Sequence, residues 1–348
     1  MHKENRSNDK YKWPIKRKIA SIVCLIYIIG FTSFLFLFYG PINSFKEFWI
    51  TSAMTTMNHR YLATLIYSDE YIQKVLQKNS IIEISEISDP NMIQFRKYKT
   101  SIYRNEYEKE ILEKDPNNDL YKLINIKGKG YQGFLVAIYD PSRVYIGTTS
   151  KLGVTGESIL KVSKREKAII AMNAGGFYDP DWNSNGALPH GTVISHGKVV
   201  SDYVDANMGG GFIGFTEENK LILGNMSKNE ALRMHYRDAI EFGPYLIVNG
   251  KRSFIHGNGG WGIAPRSAIG QRQDGIVLFL VINGRLVNSI GADMVDLTDI
   301  MENYGAYNAA NLDGGSSSEL VIKNKIINTP VAGGENGLRN MSTFWLVK

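Results

Sequence analysis

The stretch Asn311–Leu320 reads NLDGGSSSEL, with a carboxylate set directly against two glycines and three hydroxyls. Glycine removes the side chains that would obstruct a sharp bend, and consecutive backbone N–H groups in such a bend can converge on an anion. Asp313 is therefore a candidate base or nucleophile beside an anion cradle built from Gly314, Gly315, Ser316 and Ser317. A solvated loop is the plain alternative, although an ordinary hairpin loop needs fewer turn residues than these six.

Three further stretches hold more Gly, Asn, Arg and His than a β-rich core requires. In AMNAGGFYD, Asn173, Gly175 and Gly176 end an apolar run, and Phe177 with Tyr178 offers a flat wall on which a sugar ring could stack through its C–H groups. In LPHGTVISHGK, His190 precedes Gly191, and in GIAPRSAIGQ, Arg266 lies between a proline and small residues. A guanidinium held in that way can fork onto a phosphate or carboxylate. The competing readings are a structural turn, a surface or core histidine, and an internal salt bridge.

Common catalytic templates fit poorly. The sequence holds no G-x-S-x-G elbow, no G-x-x-x-x-G-K-[ST] loop and no H-E-x-x-H pair. A serine nucleophile at Ser316 would need a base that sequence alone does not identify. Asp179, Asp181 and His190 match no standard metal spacing, and the single cysteine, Cys24, supports neither a disulfide nor a thiolate site. No metal is expected.

The elements that must position these residues have a distinct texture. Gly becomes frequent from Gly128 onward, where short β-rich runs alternate with turn signals. GFLVAIY and RVYIGTT flank DPS and read as a hairpin. TVISHGKVV, YLIVNGKRSF and IVLFLVINGRLVNS each carry a His-Gly or Asn-Gly pair, the strongest short hairpin cue. ADMVDLTDIMENYGA changes period: Val295, Leu297, Ile300, Met301 and Tyr304 share a helical face, Asp293 can cap it and Gly305 can end it. AYNAANLD then reads as a buried strand and SELVIKNKIIN as a hairpin, so the loop beginning at Asp313 is held by core structure on both sides.

Before Gly128, segments such as DEYIQKVLQKN and NEYEKEILEKD carry helical spacing without glycine. The expected class is α+β: an N-terminal membrane helix and a helical stalk, followed by a mixed, mainly antiparallel, β-rich domain. Its expected parts are a basic tail over 1–18, an anchor over 19–42, a stalk or accessory segment over 43–125 and a catalytic domain over 126–348.

The formal charge of +6 across 348 residues is concentrated in the first eighteen. The remainder is nearly neutral and offers no basic face, so nucleic acid is not an expected partner. Residues 19–42 carry no charge and are long enough to cross a hydrocarbon core as a helix. The basic flank precedes the apolar run, which places the tail in the cytoplasm and everything after Pro41 outside a cell membrane, as a single-pass surface protein. A cleaved signal peptide and a buried core helix are the alternatives.

Taken in order, NAGGFY, HGTVISHGK, FGPYLIVNGK, PRSAIG and NLDGGSSS resemble the phosphodiester glycosidase family over about residues 130–348. The matching positions are Asn173, Gly175, Gly176, Phe177, Gly191, Pro265, Arg266, Gly270 and Asp313 to Ser317. The resemblance implies removal of a sugar from a sugar-phosphate diester without a required organic cofactor. Asp313, Arg266 and Asn173 would then carry the chemistry, with Gly175, Gly176, Phe177, His190, Gly191 and Gly314 to Ser317 on the substrate. Two departures stand out: a Gly-Ser pair at 315 and 316 where some relatives have a third glycine, and an N-terminal anchor without the cysteine-rich C-terminal region of animal members. A carbohydrate or cell-envelope glycopolymer is accordingly the expected partner. The competing functions are a non-catalytic glycan-binding or exopolysaccharide-assembly accessory protein, and a metal-dependent phosphodiesterase that cuts the P–O bond.

Overall fold

A computed structural model describes residues 14–56, 59–95, 102–179, 184–203 and 210–348. Most of the basic tail and Asp181 lie outside the described residues. The chain divides into two units, Met1–Trp49 and Ile50–Lys348. The first holds the helix Ile15–Tyr39, long and apolar enough to cross a membrane, and the start of a second helix, Asn43–Thr55. At its end Phe38 packs edge-on against Phe45 and Trp49, with centroids 5.2 and 4.8 Å away.

The second unit is α+β, and every strand pairing described in it is antiparallel. A seven-stranded sheet runs in the spatial order Lys251–Arg252, Tyr245–Val248, Ala306–Asn311, Arg266–Arg272, Val277–Ile282, Tyr131–Ile138 and Tyr121–Gly128. A five-stranded sheet orders Lys325–Ile326, Leu320–Ile322, Ile170–Asn173, Thr343–Val347 and Val144–Thr148. Another orders Leu221–Gly224, Gly211–Thr216, Tyr236–Phe242, Gly191–Ser195 and Lys198–Tyr203. One apolar core joins all three through Val136, Ile146, Met172, Phe215, Phe279 and Trp345. Every residue of Val277–Ile282 is buried because both faces of that strand are covered, which is why its sequence is continuously apolar rather than alternating. The helix Met294–Asn303 covers the other face of the large sheet with Met294, Leu297 and Met301. It starts at a reciprocal cap, Asp296 N–H to Asp293 Oδ1 at 2.9 Å and Asp293 N–H to Asp296 Oδ2 at 3.2 Å. Gly305, at φ 79°, follows its end.

Three of the expected hairpins form, each around two residues with positive φ: His196 and Gly197, Asn249 and Gly250, and Lys323 and Asn324. Two do not, for a shared reason. Tyr131–Ile138 already lies between Tyr121–Gly128 and Val277–Ile282, so Val144–Thr148 has no free edge there and joins a different sheet. Asp140 instead caps a short 3-10 turn by accepting from the Ser142 N–H at 3.1 Å. Likewise Val277–Ile282 is flanked by Arg266–Arg272 and Tyr131–Ile138, so the Asn283-Gly284 pair opens a loop rather than a two-residue turn. Asn283 Oδ1 accepts from the Thr329 N–H at 2.8 Å and thereby holds that loop.

The segment expected as a stalk includes the anticipated helices Asp69–Lys78 and Glu106–Leu112. It also contributes a strand, Ser80–Ile82, paired with Phe254–His256, and an extended stretch tied to the sheets through Glu83, Ser88 and Gln94. The expected boundary at 125/126 falls inside the strand Tyr121–Gly128.

Candidate active site

The loop beginning at Asp313 crosses from the large sheet to a five-stranded one: Ala306–Asn311 leads into it and Leu320–Ile322 leads out. Its entry is fixed by Leu312 N–H to Ser267 O at 2.9 Å and Asp313 N–H to Ala174 O at 3.1 Å. The half-buried Asp313 therefore stands where two sheets meet.

Asn173 is fully buried beneath it. Its Nδ2 donates to Asp313 O at 2.6 Å, and its Oδ1 accepts from Ser267 Oγ at 2.7 Å and Glu319 N–H at 3.2 Å. Its amide is thus occupied in tying Asp313 to both neighbouring strands. Arg266, buried in the large sheet, has a similar fate. Nε donates to Ala292 O at 3.2 Å, while Nη2 donates to Trp261 O and, at 2.6 Å, to Gly262 O. The remaining nitrogen, Nη1, faces Gly314: a Cβ there would lie 3.7 Å from it. Burial pulls the guanidinium down to about 10. Arg266 and Asp313 do share one region, but the arginine supports the loop from below rather than forking into open space.

The expected amide cradle is also largely used internally. Gly314 N–H donates to Asp313 Oδ1 at 3.0 Å, Gly315 N–H to Pro265 O at 2.8 Å and Ser317 N–H to Gly314 O at 3.0 Å. Gly315 takes φ 59°, the left-handed conformation that favours glycine. What the loop presents instead is a set of side chains. The Ser317 hydroxyl accepts from Arg339 Nη1 at 3.4 Å and lies close enough to the Asp313 carboxylate to lower its pKa. Ser316 Oγ accepts from Arg285 Nη1 at 3.1 Å.

Arg285 and Arg339 had no distinguishing local signal in the sequence, nor did Asp179 attract attention except as an isolated metal candidate. Arg339 Nη2 donates to Asp179 Oδ2 at 3.1 Å, and Asp179 Oδ1 accepts from the Ser184 N–H at 2.8 Å. The Arg339 guanidinium lies 4.5 Å from the Phe177 ring centroid. Phe177 is buried, so that face of the expected sugar wall carries a cation. Among the described residues the site therefore combines two guanidiniums, two serine hydroxyls and two carboxylates. Burial first, then the Arg339 charge, lowers the Arg285 pKa. Two cations close enough to repel one another create a place for an anion to relieve both.

Burial raises the Asp313 carboxyl above its ordinary range, and the nearby Asp179 charge adds to this. The Ser317 hydroxyl, Arg339 and the Gly314 N–H pull in the opposite direction. A carboxyl raised in this way is a stronger base than an exposed aspartate.

The remaining expected residues are engaged by neighbouring strands and loops. His190 is buried, and its N–H donates to Gly176 O at 3.0 Å. Gly175 N–H donates to Thr343 Oγ1 at 3.2 Å. Gly191 has φ 70°, and a Cβ there would meet Glu241 Cβ at 2.6 Å. Tyr178 lies between His190 and Tyr203, with centroids 6.3 and 5.3 Å away. Glu319 is fully buried behind the loop and was not expected at the site; its Oε1 accepts from the Arg339 N–H at 2.8 Å.

Comparison with known proteins adds an independent finding. A family model described as phosphodiester glycosidase matches residues 166–348. The chain is 30% identical over 197 residues to the SPbeta prophage-derived protein YomE of Bacillus subtilis strain 168, covering 54% of this chain but 29% of that relative. The fold is similar to the zebrafish N-acetylglucosamine-1-phosphodiester alpha-N-acetylglucosaminidase catalytic domain auto-inhibited by its pro-peptide. That match has a TM-score of 0.55 and 20% identity, and covers 67% of this chain and 85% of the other.

Proposed function

The chain belongs to the phosphodiester glycosidase family, and on that premise we propose that it hydrolyses the bond between a sugar anomeric carbon and the oxygen of a phosphodiester. The observation that carries the reading is the convergence of Arg339, Arg285, Ser316 and Ser317 on the loop that bears Asp313. When the C1–O bond breaks, the electron pair stays with the phosphate, which leaves as a monoester whose second pKa is about 6. This leaving group needs little protonation, unlike the alkoxide of an ordinary glycoside. Fixed cations and hydroxyls aimed at its developing charge stabilise it without reorganising.

In this reading Arg339 and Arg285 hold the phosphate, with Ser316 and Ser317 between them. Asp313 serves the sugar side, as a base that activates water or as a nucleophile on C1. Arg266 and Asn173 are positioning groups rather than ligands, because Nε and Nη2 of Arg266 and Nδ2 of Asn173 donate to backbone carbonyls. Tyr178, which stands in sequence between Phe177 and Asp179, is the candidate wall for the sugar ring.

The natural substrate we propose is a phosphodiester-linked sugar of a cell-envelope glycopolymer or exopolysaccharide, reached from a membrane-anchored protein. The apolar helix Ile15–Tyr39, which carries no charge from Ile19 onward, supports the anchor. The decisive experiment incubates the purified protein with a nucleoside-diphosphate sugar in isotopically labelled water. Free sugar carrying the label at C1, with none in the phosphate, is the expected result. A sugar phosphate product would move the cleavage to the P–O bond. Binding without turnover of any such compound would leave a glycan-binding accessory protein.

A further inference from the structure

The Glu319 carboxyl has no part in the chemistry just described, yet it lies beside one of the groups that perform it. Its side chain is fully buried, and the backbone around it is locked: Glu319 N–H donates to Asn173 Oδ1, and Glu319 O accepts from the Asn173 N–H at 3.3 Å. Oε1 accepts from the Arg339 N–H at 2.8 Å, but Oε2 has no partner among the described residues. An ionised carboxylate has several lone-pair sites to satisfy and bears a heavy desolvation cost when buried. One backbone N–H does not meet that demand.

We propose that Glu319 is a positioning residue that works in its uncharged form, clipping the chain at Arg339 to the strand that follows the Asp313 loop while leaving the Arg339 cation available to substrate. The clip joins the segments that carry the two groups: Asp313 lies six residues before Glu319, and both are tied to Asn173. Were Glu319 ionised, its charge would lie next to Arg339 and compete with the substrate phosphate for that guanidinium. Burial supports the uncharged form by raising the carboxyl to about 8; the Arg339 N–H and the Arg339 charge, the charged group whose field reaches it, pull the other way. Beyond Arg339 lie Asp179 and Asp313, which that guanidinium also serves.

The inference rests on the proposed phosphodiester chemistry, so its test has one arm that does not depend on turnover. In the full chain, an infrared carbonyl band from a protonated carboxylic acid should be present in wild type at about pH 7, and should vanish in Glu319→Gln. In kinetics, Glu319→Gln keeps the acceptor for the Arg339 N–H and should match wild type at about pH 7. Wild-type kcat/KM should fall by up to roughly tenfold per pH unit above about pH 8, chiefly through KM, while the Gln variant stays flat. Glu319→Leu, which keeps bulk and removes the acceptor, should be slow at every pH. Superimposable pH profiles for wild type and Glu319→Gln, or no band assignable to Glu319, would overturn the proposal. Absence of turnover in wild type would sink the phosphodiester reading and leave the infrared arm to decide the state of Glu319.

Discussion

Replacing Arg339 by methionine removes a cation while keeping most of the stem that covers Phe177. In the wild type the guanidinium is 3.1 Å from Asp179 Oδ2 and 3.4 Å from Ser317 Oγ, and stacks 4.5 Å from the Phe177 centroid. The Asp179 side chain is only 7% exposed, so the variant leaves a carboxylate buried without its cation. Breaking a buried pair from one side costs about 3–5 kcal/mol. The Arg339 side chain is 29% exposed, which places this pair nearer about 2–3 kcal/mol. A lost cation–π contact adds about 0.5–1 kcal/mol. For a unit of this size the combined loss corresponds to a melting temperature lower by roughly 5–10 °C. Turnover should fall further than stability suggests, by about two to three orders of magnitude, the usual consequence of removing one fixed donor from developing charge. The double variant Arg339→Met/Asp179→Asn separates these effects, because it removes the orphaned charge. Thermal unfolding should recover most of the loss, whereas turnover measured below the melting transition should not. Recovery of turnover together with stability would reduce Arg339 to a scaffold residue and refute its assignment to the phosphate.

Further outcomes follow from the same geometry. Arg285→Ala should raise KM about tenfold or more with a smaller change in kcat, since Arg285 reaches the site through Ser316 and loses about 1.5–3 kcal/mol of charge-assisted bonding; steady-state kinetics checks this. Stability should also respond to Glu319. A carboxyl raised from 4.5 to about 8 keeps its proton in the fold where the unfolded chain releases it, so its contribution is complete below about pH 4.5 and is lost as pH rises through about 8. Denaturant unfolding of Glu319→Gln should therefore lack a decline of up to about 5 kcal/mol that wild type shows across that interval. Gly262→Ala should destabilise by about 1–3 kcal/mol in the same assay, because its φ is 60° and the new Cβ would lie 2.6 Å from Ser52 Cα. The strain falls on the loop whose carbonyl holds Arg266, so activity should decline with it.

Sequence patterning revealed the elements wherever one segment contained its own explanation. Asp293 and Gly305 mark the two ends of one helix, and the Asn249-Gly250 pair reverses one strand locally. It failed where the outcome depended on whether a sheet edge was free, as at Asp140 and at Asn283-Gly284, since no local residue records which strands have already claimed an edge.

The same distinction separates the site residues. Asn173, Arg266 and Asp313 are conspicuous in sequence because polar groups at the ends of apolar strands are unusual, but that signal is identical whether the polar atoms serve a backbone or a ligand. Only an account of which donors and acceptors are already occupied tells them apart. On that account Arg266 is largely committed to carbonyls and Asn173 to strand ends. Arg285 and Arg339 meet hydroxyls and a carboxylate at the mouth of the loop, positions from which an anion can draw them. They were inconspicuous because each is a single arginine in an ordinary surface-like context, separated by more than fifty residues and joined only where two sheets meet. On the proposed reading, cations gathered around a leaving phosphate gain from standing on separate segments, because each is then braced by a different part of the core against their mutual repulsion.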